Sequence, residues 1–273
     1  MRKKKRGAVL FGGLALAMAV LAGGCGPGTA VEETEDRQLP TVTVGCDDYA
    51  PFSYMDMNGN VTGIDVELAT EAFHRMGYEP EFSFINWEDK KDLLEAGTID
   101  CIWSSFTMDG REEEYKWAGP YMKSNQVIAV RVDSPIQTLQ DLEGKTIAVQ
   151  STTKPEDLFR EHAASIPAFR KVISVKNRDL LYTFLSKGYV DAIAAHDTSI
   201  EQFMEDFHIE YRILDEPLLA VNLGVAFDKT DDRGLAETLS QTLGQMRADG
   251  TIKEILSGYV SNAEQDLEDA NEE

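Results

Sequence analysis

The sequence predicts an α/β fold in which parallel sheets carry helices on both faces. Short apolar segments rich in β-branched residues alternate along the chain with segments of helical periodicity, and this alternation is typical of parallel strands joined by crossover helices. The 273-residue chain also has enough residues between positions 41 and 263 for one large or two modest hydrophobic cores.

The first series of elements runs from residue 41 to residue 131. A strand over 41–46 precedes a helix over 65–76, whose apolar residues recur at helical spacing and which Gly77 ends. The same reasoning predicts a strand over 80–85, a helix over 89–96, and strands over 99–103 and 126–131.

The second series begins near Asp133. Pro155 suits the first turn of a helix, and Asn177 is a typical residue at the start of one. Strands are predicted over 146–149, 172–175, 192–195, 211–214 and 221–227. Helices are predicted over 155–165, 177–187, 198–207 and 231–248, with a short last helix ending at 257.

The amino terminus has the layout of a secretory signal: basic residues 2–6, an apolar run over 8–22, and then Gly23-Gly24-Cys25. Its end resembles the lipobox of bacterial lipoproteins, although Ala22 stands where that motif has a large aliphatic residue. The resemblance implies a signal peptide over 1–24, acylation of Cys25 with palmitate, and an extracytoplasmic protein anchored to the membrane by lipid. Ordinary cleavage that leaves a free Cys25 is the alternative.

The acidic composition excludes one class of partner. The formal net charge is −22, whereas a nucleic-acid-binding protein needs a basic surface. Residues 25–39 and 264–273 are acidic and poor in apolar side chains, so we expect a flexible tether and a disordered tail there.

Two cysteines remain once Cys25 is assigned to lipid. Cys46 and Cys101 lie at or near the ends of predicted strands. They are either bonded in a disulfide, which an oxidising compartment allows, or two separate buried thiols.

Polar residues follow four of the predicted strands, at the carboxyl ends where α/β sheets bind their ligands. After the strand at 99–103 come three hydroxyl side chains and then Arg111. Hydroxyls and free N–H groups donate hydrogen bonds to a carboxylate, and a guanidinium matches its two oxygens, so the segment predicts a carboxylate site. A polar loop with a surface arginine is the alternative. The four clusters are Asp47 and Tyr49; Ser104, Ser105, Phe106 and Thr107; Gln150, Thr152 and Thr153; and His196 and Asp197.

The order and spacing of short motifs over residues 41–259 resemble those of the solute-binding proteins of polar amino acid import systems of the ATP-binding cassette type. The motifs are Gly45 to Phe52, Gly63 to Val66, Leu93 to Gly97, Ser104 to Arg111, Gly119 to Tyr121, Leu139 to Lys145, Gln150 to Thr153, Gly188 to Ala192 and Ala248 to Thr251.

This resemblance implies a two-lobed fold of the periplasmic-binding-protein type II class, in which each lobe is a mostly parallel sheet flanked by helices. Residues 40–130 and 220–263 would form one lobe and residues 131–219 the other, with crossings near Arg131 and Leu219. A monomer would bind an amino acid between the lobes, without a cofactor, and present the closed form to the permease subunits of an importer.

The resemblance also implies roles for the site residues. Arg111 would hold the α-carboxylate of the ligand. Hydroxyls from both lobes would assist, namely Ser105 or Thr107 and Thr152 or Thr153. Asp47 and Asp197 would receive the α-ammonium, and the walls of the pocket would be Tyr49, Phe52, Trp87 and Phe106.

Several of these residues have a second interpretation. Asp47 could cap a loop, and Tyr49 and Phe52 could be core aromatics. His196 stands where related proteins place the acid that receives the ammonium, and Asp197 is one residue further. Either a one-residue bulge brings Asp197 into the site, or His196 lines it and the ligand is atypical.

Two other functions compete with import. The same fold supports dehydratases of small carboxylates, for which His196 would be the candidate acid or base. The sequence has no nucleophile elbow, phosphate loop or dinucleotide motif, and its histidines lack metal-ligand spacing, so we predict a protein that is not an enzyme and has no metal. A ligand-sensing lipoprotein that serves no permease is the other competitor.

Overall fold

The computed structural model describes residues 39–163 and 165–260, together with Ala263 and Leu267. The predictions for residues 1–24 (signal peptide), for Cys25 (lipidation), for the tether up to residue 38 and for the tail over 264–273, apart from Leu267, lie outside the described residues. Within the described part, no helix combines the length and the apolar character that crossing a membrane requires.

Strands and helices alternate as the sequence predicts. The strands are β1 Thr41–Cys46, β2 Tyr54–Met55, β3 Val61–Thr62, β4 Glu79–Phe84, β5 Cys101–Thr107, β6 Lys116–Arg131, β7 Thr146–Gln150, β8 Lys171–Val175, β9 Ala192–His196, β10 Tyr211–Ile213 and β11 Leu219–Phe227. The helices are α1 Ile64–Met76, α2 Lys90–Glu95, α3 Lys154–Arg160, α4 Asp179–Ser186, α5 Asp197–Phe207, α6 Leu235–Ala248 and α7 Thr251–Ser257. Short 3-10 helices cover Trp87–Asp89 and Leu139–Leu142.

Nine strands form one mixed sheet in the order β4-β1-β5-β11-β6-β9-β7-β8, with β10 added alongside β6. The outer pairs are parallel, as predicted: β1 with β4 and β5, and β7 with β8 and β9. The centre is antiparallel, because β11 runs against both β5 and β6, and β6 runs against β9. The expectation of a mostly parallel sheet is therefore wrong at the centre. The alternation of strands and helices predicts parallel pairing only for strands that a crossover helix joins. Strand β11 follows the second series of elements in the sequence and returns to pair with β5 and β6, so this prediction does not apply to it.

The long strand β6 changes its partner at Gln126. Gln126 pairs with Leu219 of β11 and also with His196 of β9. We call the strands on the β11 side, with residues 116–126, the first half of the sheet, and the strands on the β9 side, with residues 126–131, the second half. Both halves thus share one continuous backbone through Gln126.

Apolar clusters cover both faces of each half. In the first half, Phe73 of α1 packs edge-on against Trp103 at a centroid distance of 6.0 Å, and Trp87 and Leu94 cover the opposite face. In the second half, α4 and α5 cover the face of Val127 and Ala129, while α3 covers the face of the alternate residues of β6. Helices on both faces are the predicted arrangement. Successive side chains of β6 point to opposite faces of the sheet, so each face presents apolar side chains for a helix to cover.

The two cysteines are free and buried. Cys101 lies opposite Val44 in the β1–β5 register, so Cys46 is two residues further along β1. Cys46 donates to the Ser83 carbonyl oxygen at 3.6 Å. The disulfide alternative does not hold in this structure, and the alternative of two separate buried thiols does.

Candidate functional site

A small cavity of about 10 Å³ lies where residues of the two halves meet. Its polar lining comes from β5, from the turn after β5, from β6 and from the starts of helices in the second half. The lining residues are Trp87, Ser105, Phe106, Thr107, Arg111, Gln126, Thr152, Thr153, Lys154, Arg178 and His196.

The hydroxyl segment is part of β5 and not a loop after it, because the strand continues to Thr107 and all its residues are buried. Ser105 takes a left-handed conformation with φ 44°, and its N–H donates to Asp65 Oδ2 at 2.6 Å. Ser104 faces elsewhere: its Oγ accepts from the Asp47 N–H at 3.0 Å and lies 3.0 Å from Ser53 Oγ. Ser105 and Thr107 therefore line the cavity, and Ser104 supports β1.

Arg111 points into the cavity from the turn after β5, and the residue is only 9% exposed. Its Nη2 pairs with Asp157 Oδ2 at 2.8 Å, and its Nη1 donates to the Thr107 carbonyl oxygen at 3.4 Å. The guanidinium carbon lies 5.2 Å from the centre of the Phe106 ring. The interpretation of Arg111 as a surface arginine is wrong.

Asp47, predicted to receive an ammonium, is already bonded within the protein. Its Oδ2 accepts from Gln150 Nε2 at 2.8 Å and from Arg178 Nε at 3.0 Å. The Arg178 guanidinium also lies over the ring of Tyr49, with its carbon 3.4 Å from the ring centre. A cation of the chain thus occupies the carboxylate and the aromatic face that could hold a ligand cation.

The predicted aromatic walls divide into two groups. Trp87 and Phe106 line the cavity and meet edge to face at 5.5 Å between ring centres. Tyr49 and Phe52 are buried beside it, which matches their interpretation as core aromatics. The Tyr49 hydroxyl accepts from the His196 N–H at 3.2 Å, so it holds the end of β9 in place.

Thr152 and Thr153 reach the cavity from the start of α3. Thr152 has φ 57°, and its N–H donates to Glu156 Oε2 at 2.6 Å. The Thr153 hydroxyl donates to the Gln150 carbonyl oxygen at 2.6 Å. Gln150 itself does not line the cavity, because its amide is turned to Asp47.

His196, rather than Asp197, faces the cavity. Its Nδ1 is 2.8 Å from Ser124 Oγ, and Gln126 Nε2 donates to its Nε2 at 2.8 Å, which assigns the ring proton to Nδ1. Burial, together with the nearby charge of Arg178, lowers the pKa of His196 to about 3, so the ring is neutral. Asp197 begins α5 and accepts from Asn125 Nδ2 at 3.0 Å. The bulge that would bring Asp197 into the lining does not form.

Sequence reasoning missed four residues of this region: Lys90, Gln126, Lys154 and Arg178. Lys90 is 5% exposed, and its Nζ lies 4.7 Å from the Trp87 ring centre and donates to Thr152 Oγ1 at 2.8 Å. Burial, followed by repulsion from Arg111, lowers the pKa of Lys90 to about 7. Nothing in the sequence marks Lys90 as buried, whereas Arg178 follows β8 at the carboxyl end of a strand, where the sheet rule could have found it.

No set of three or more histidine, cysteine, aspartate or glutamate side chains in the described ranges is arranged to hold a metal ion. The cavity can act on a ligand by hydrogen bonding and charge, because two guanidinium groups, several hydroxyls, an ammonium group and a neutral imidazole line it. This set can bind and orient a small carboxylate.

Comparison with known proteins identifies the class. Residues 42–262 match the family described as bacterial extracellular solute-binding proteins, family 3, and the chain belongs to that family. The lysine/arginine/ornithine-binding periplasmic protein of Escherichia coli (strain K12) is 31% identical over 230 residues, which cover 80% of this chain and 87% of that protein.

Two further proteins are similar along most of their length. The histidine-binding periplasmic protein of Escherichia coli (strain K12) is 29% identical over 228 residues, covering 80% of this chain and 86% of its own. The arginine-, lysine-, histidine-binding protein ArtJ of Geobacillus stearothermophilus has a crystal structure that superposes with a TM-score of 0.73 at 25% identity, covering 81% and 96% of the two chains. The curated relatives are binding proteins and not enzymes, in agreement with the prediction for this chain.

Proposed function

We propose that the protein is an extracytoplasmic receptor that binds an amino acid in this cavity and delivers it to an ATP-binding cassette importer. The observation that carries the proposal is the placement of Arg111: a guanidinium 9% exposed, inside a cavity that also presents the hydroxyls of Thr107 and Thr152. Family membership supports it, since the named relatives bind amino acids.

The ligand carboxylate would lie against the guanidinium of Arg111. Thr107 belongs to β5 and Thr152 to the segment before α3, so hydroxyls from both halves of the sheet would bond one ligand. A ligand that bridges the two halves stabilises the form in which they are close, by the difference in its affinity for the two forms. Residues 40–130 and 220–263 would move as one lobe and residues 131–219 as the other.

Lipid on Cys25 would keep this receptor at the membrane, next to its permease. Intact mass of the protein from the cell membrane tests the anchor, because two or three acyl chains on Cys25 add a mass that ordinary cleavage does not. A mass equal to that of the unmodified chain would remove the anchor from the proposal.

Thermal unfolding against the standard amino acids tests the binding function. A ligand at a hundred times its Kd adds about 2.7 kcal/mol to the free energy of unfolding, which raises Tm by roughly 5–10 °C for a protein of this size. We expect at least one amino acid to do this. If none raises Tm, the chain is not an amino acid receptor.

Uptake measurements separate import from sensing. Deleting the gene should lower cellular uptake of the amino acid that raises Tm, whereas a sensing lipoprotein without a permease would leave uptake unchanged. Recovery of the ligand unaltered after incubation with the protein completes the test against a dehydratase.

A further inference from the structure

Two of the four cationic side chains at the cavity lack an ion-pair partner among the described residues. Arg178 is paired with Asp47, and Arg111 with Asp157. Lys90 and Lys154 have no carboxylate within ion-pair distance among the described residues. The cavity lining, within the same part of the chain, includes no aspartate or glutamate.

Lys154 comes from the first turn of α3 and reaches the turn that carries Arg111. The nearest atom that a Cβ at Gly110 would meet is the Nζ of Lys154, so the ammonium group lies against this turn. The nearby carboxylate of Glu112 attracts the Lys154 ammonium without forming an ion pair with it, and its Oε1 accepts from the Gly110 N–H at 2.9 Å. In the part of the chain that the structure describes, the ammonium group of Lys154 lines the cavity without an ion-pair partner.

Lys90 lies directly behind the lining. Its Nζ donates to Thr152 Oγ1 and to the carbonyl oxygen of Trp87, and both residues line the cavity. The carboxylate of Glu88 nearby is paired with Lys176 at 2.5 Å. Burial of an ammonium group costs free energy unless a negative charge compensates it. Asp157 and Asp47 attract the Lys90 ammonium, but neither forms an ion pair with it, so the compensation is incomplete.

The carboxylates and the aromatic ring that could bind a cationic ligand already contact other residues of the chain. Asp47 and the ring of Tyr49 contact the Arg178 guanidinium, and Asp197 bonds to Asn125 away from the lining. His196 is an uncharged hydrogen-bonding group and adds no negative charge. A positively charged ligand group in this cavity would be repelled by Arg111, Lys154 and Arg178. The described lining residues include no carboxylate that could pair with it.

We propose that the site selects a ligand with two carboxylates, either an acidic amino acid or a dicarboxylate without an amine, and that Lys154 and Lys90 attract the second carboxylate. This inference rests on the proposed function and names its ligand class. It departs from the basic amino acids in the names of the similar proteins, because the internal Arg178–Asp47 pair takes the place of a ligand cation.

Titration calorimetry on the purified protein tests the proposal with three groups of probes: L-glutamate and L-aspartate; 2-oxoglutarate and succinate; and L-arginine, L-lysine and L-histidine. We expect the tightest binding in the first two groups, and their comparison decides whether the amine is recognised. Tighter binding of any basic amino acid overturns the inference and leaves the amino acid receptor standing. Tight binding of the amine-free compounds alone overturns the amino acid ligand and leaves the inference standing. No binding by any probe overturns the inference.

The variant Lys154→Gln should weaken binding of the best two-carboxylate probe by about tenfold, because a hydrogen bond to a charged group is lost. Binding of L-glutamine, which lacks the second carboxylate, should change less than threefold, on the order of a neutral contact. Lys91→Gln is the matched control, since Lys91 is exposed and pairs with Glu114 at 3.1 Å. Equal effects of the two variants would contradict the role of Lys154.

Discussion

Arg111 and Asp157 form an ion pair of 2.8 Å that joins the turn after β5 to helix α3, and so connects the two halves of the sheet across the cavity. The arginine side chain is 10% exposed and the aspartate side chain 28%. Asp157 also accepts from Arg160 Nη2 at 3.0 Å. A ligand carboxylate at Arg111 would share the guanidinium with Asp157 or displace it.

Asp157→Asn should therefore tighten carboxylate binding. The substitution removes a negative charge that competes for Arg111, and we expect affinity to rise by up to about fivefold, the size of a partly exposed ion pair. Calorimetry with the ligand identified in the panel measures this. Glu161→Gln, an exposed change at the end of the same helix, is the control. Weaker binding by Asp157→Asn would mean that the pair closes the site rather than competing for it.

Arg178→Gln should change the charge preference of the site. The variant frees Asp47 and the face of Tyr49, so affinity for L-arginine should rise by about tenfold or more, the usual effect of pairing a ligand with a buried charge. Affinity for a two-carboxylate ligand should fall in the same variant. Lys176→Gln, an exposed change two residues earlier, serves as the control. An unaltered preference would remove Arg178 as the group that excludes cations.

Affinity for an anionic ligand should fall as the pH rises above 7. The pKa of Lys90 is about 7, lowered first by burial and then by Arg111 and Arg178, against the attraction of Asp157 and Asp47. Anion binding favours the protonated ammonium, so affinity should drop by about tenfold between pH 6 and pH 8.5.

The control for this pH dependence is Lys90→Met, which keeps the apolar stem against Trp87 and removes the titrating group. Its affinity should be lower at pH 6 and nearly constant over the same range. A pH profile of Lys90→Met that matches that of the natural protein would assign the titration to another group.

Stability depends on Asp65, which holds the backbone of Ser105. Burial raises the pKa of Asp65 to about 7 from the model-compound value of 3.8. The folded protein thus binds more protons than the unfolded chain between these two pH values. The contribution of Asp65 protonation to the free energy of unfolding should therefore be complete below pH 4. It should be lost as the pH rises through about 7.

The variant Asp65→Asn should remove that loss. Asparagine has the same shape, and its oxygen can accept from the Ser105 N–H. We expect Tm of the variant relative to the natural protein to rise by roughly 5 °C between pH 5 and pH 8. Thermal unfolding at a series of pH values measures this, with Asp133→Asn as a surface control, since that side chain is 82% exposed. A constant difference in Tm would show that Asp65 stays charged.

Local patterns predicted most elements of the fold, because periodicity and terminating glycines act over a few residues. The β-branched run of β1 and the helix ended by Gly77 are examples, and both begin and end within one residue of their predicted bounds. The position of β11 between β5 and β6 depends on contacts between residues far apart in sequence. No local pattern carries that information.

The sequence predicts which residues lie at the site where their position at a strand end determines it. It does not predict which side chains form hydrogen bonds or ion pairs with each other there. Thr107 ends β5, Arg111 and Thr152 follow the ends of β5 and β7, and all three line the cavity. Asp47 occupies the expected position, but its partner Arg178 lies 131 residues away, and sequence alone does not reveal the pair. The choice of His196 over Asp197 depends on the last residues of β9 remaining regular.

The affinity of Arg111→Ala for the ligand identified in the panel tests the central claim most directly. If Arg111 holds the ligand carboxylate, calorimetry should show binding weakened by about thirtyfold or more, the usual cost of leaving a buried charge unpaired. Arg160→Ala is the matched control, because Arg160 also bonds to Asp157 but its side chain is 65% exposed, and it should change affinity less than about threefold. If Arg111→Ala binds the ligand as tightly as the natural protein does, Arg111 does not hold the ligand carboxylate.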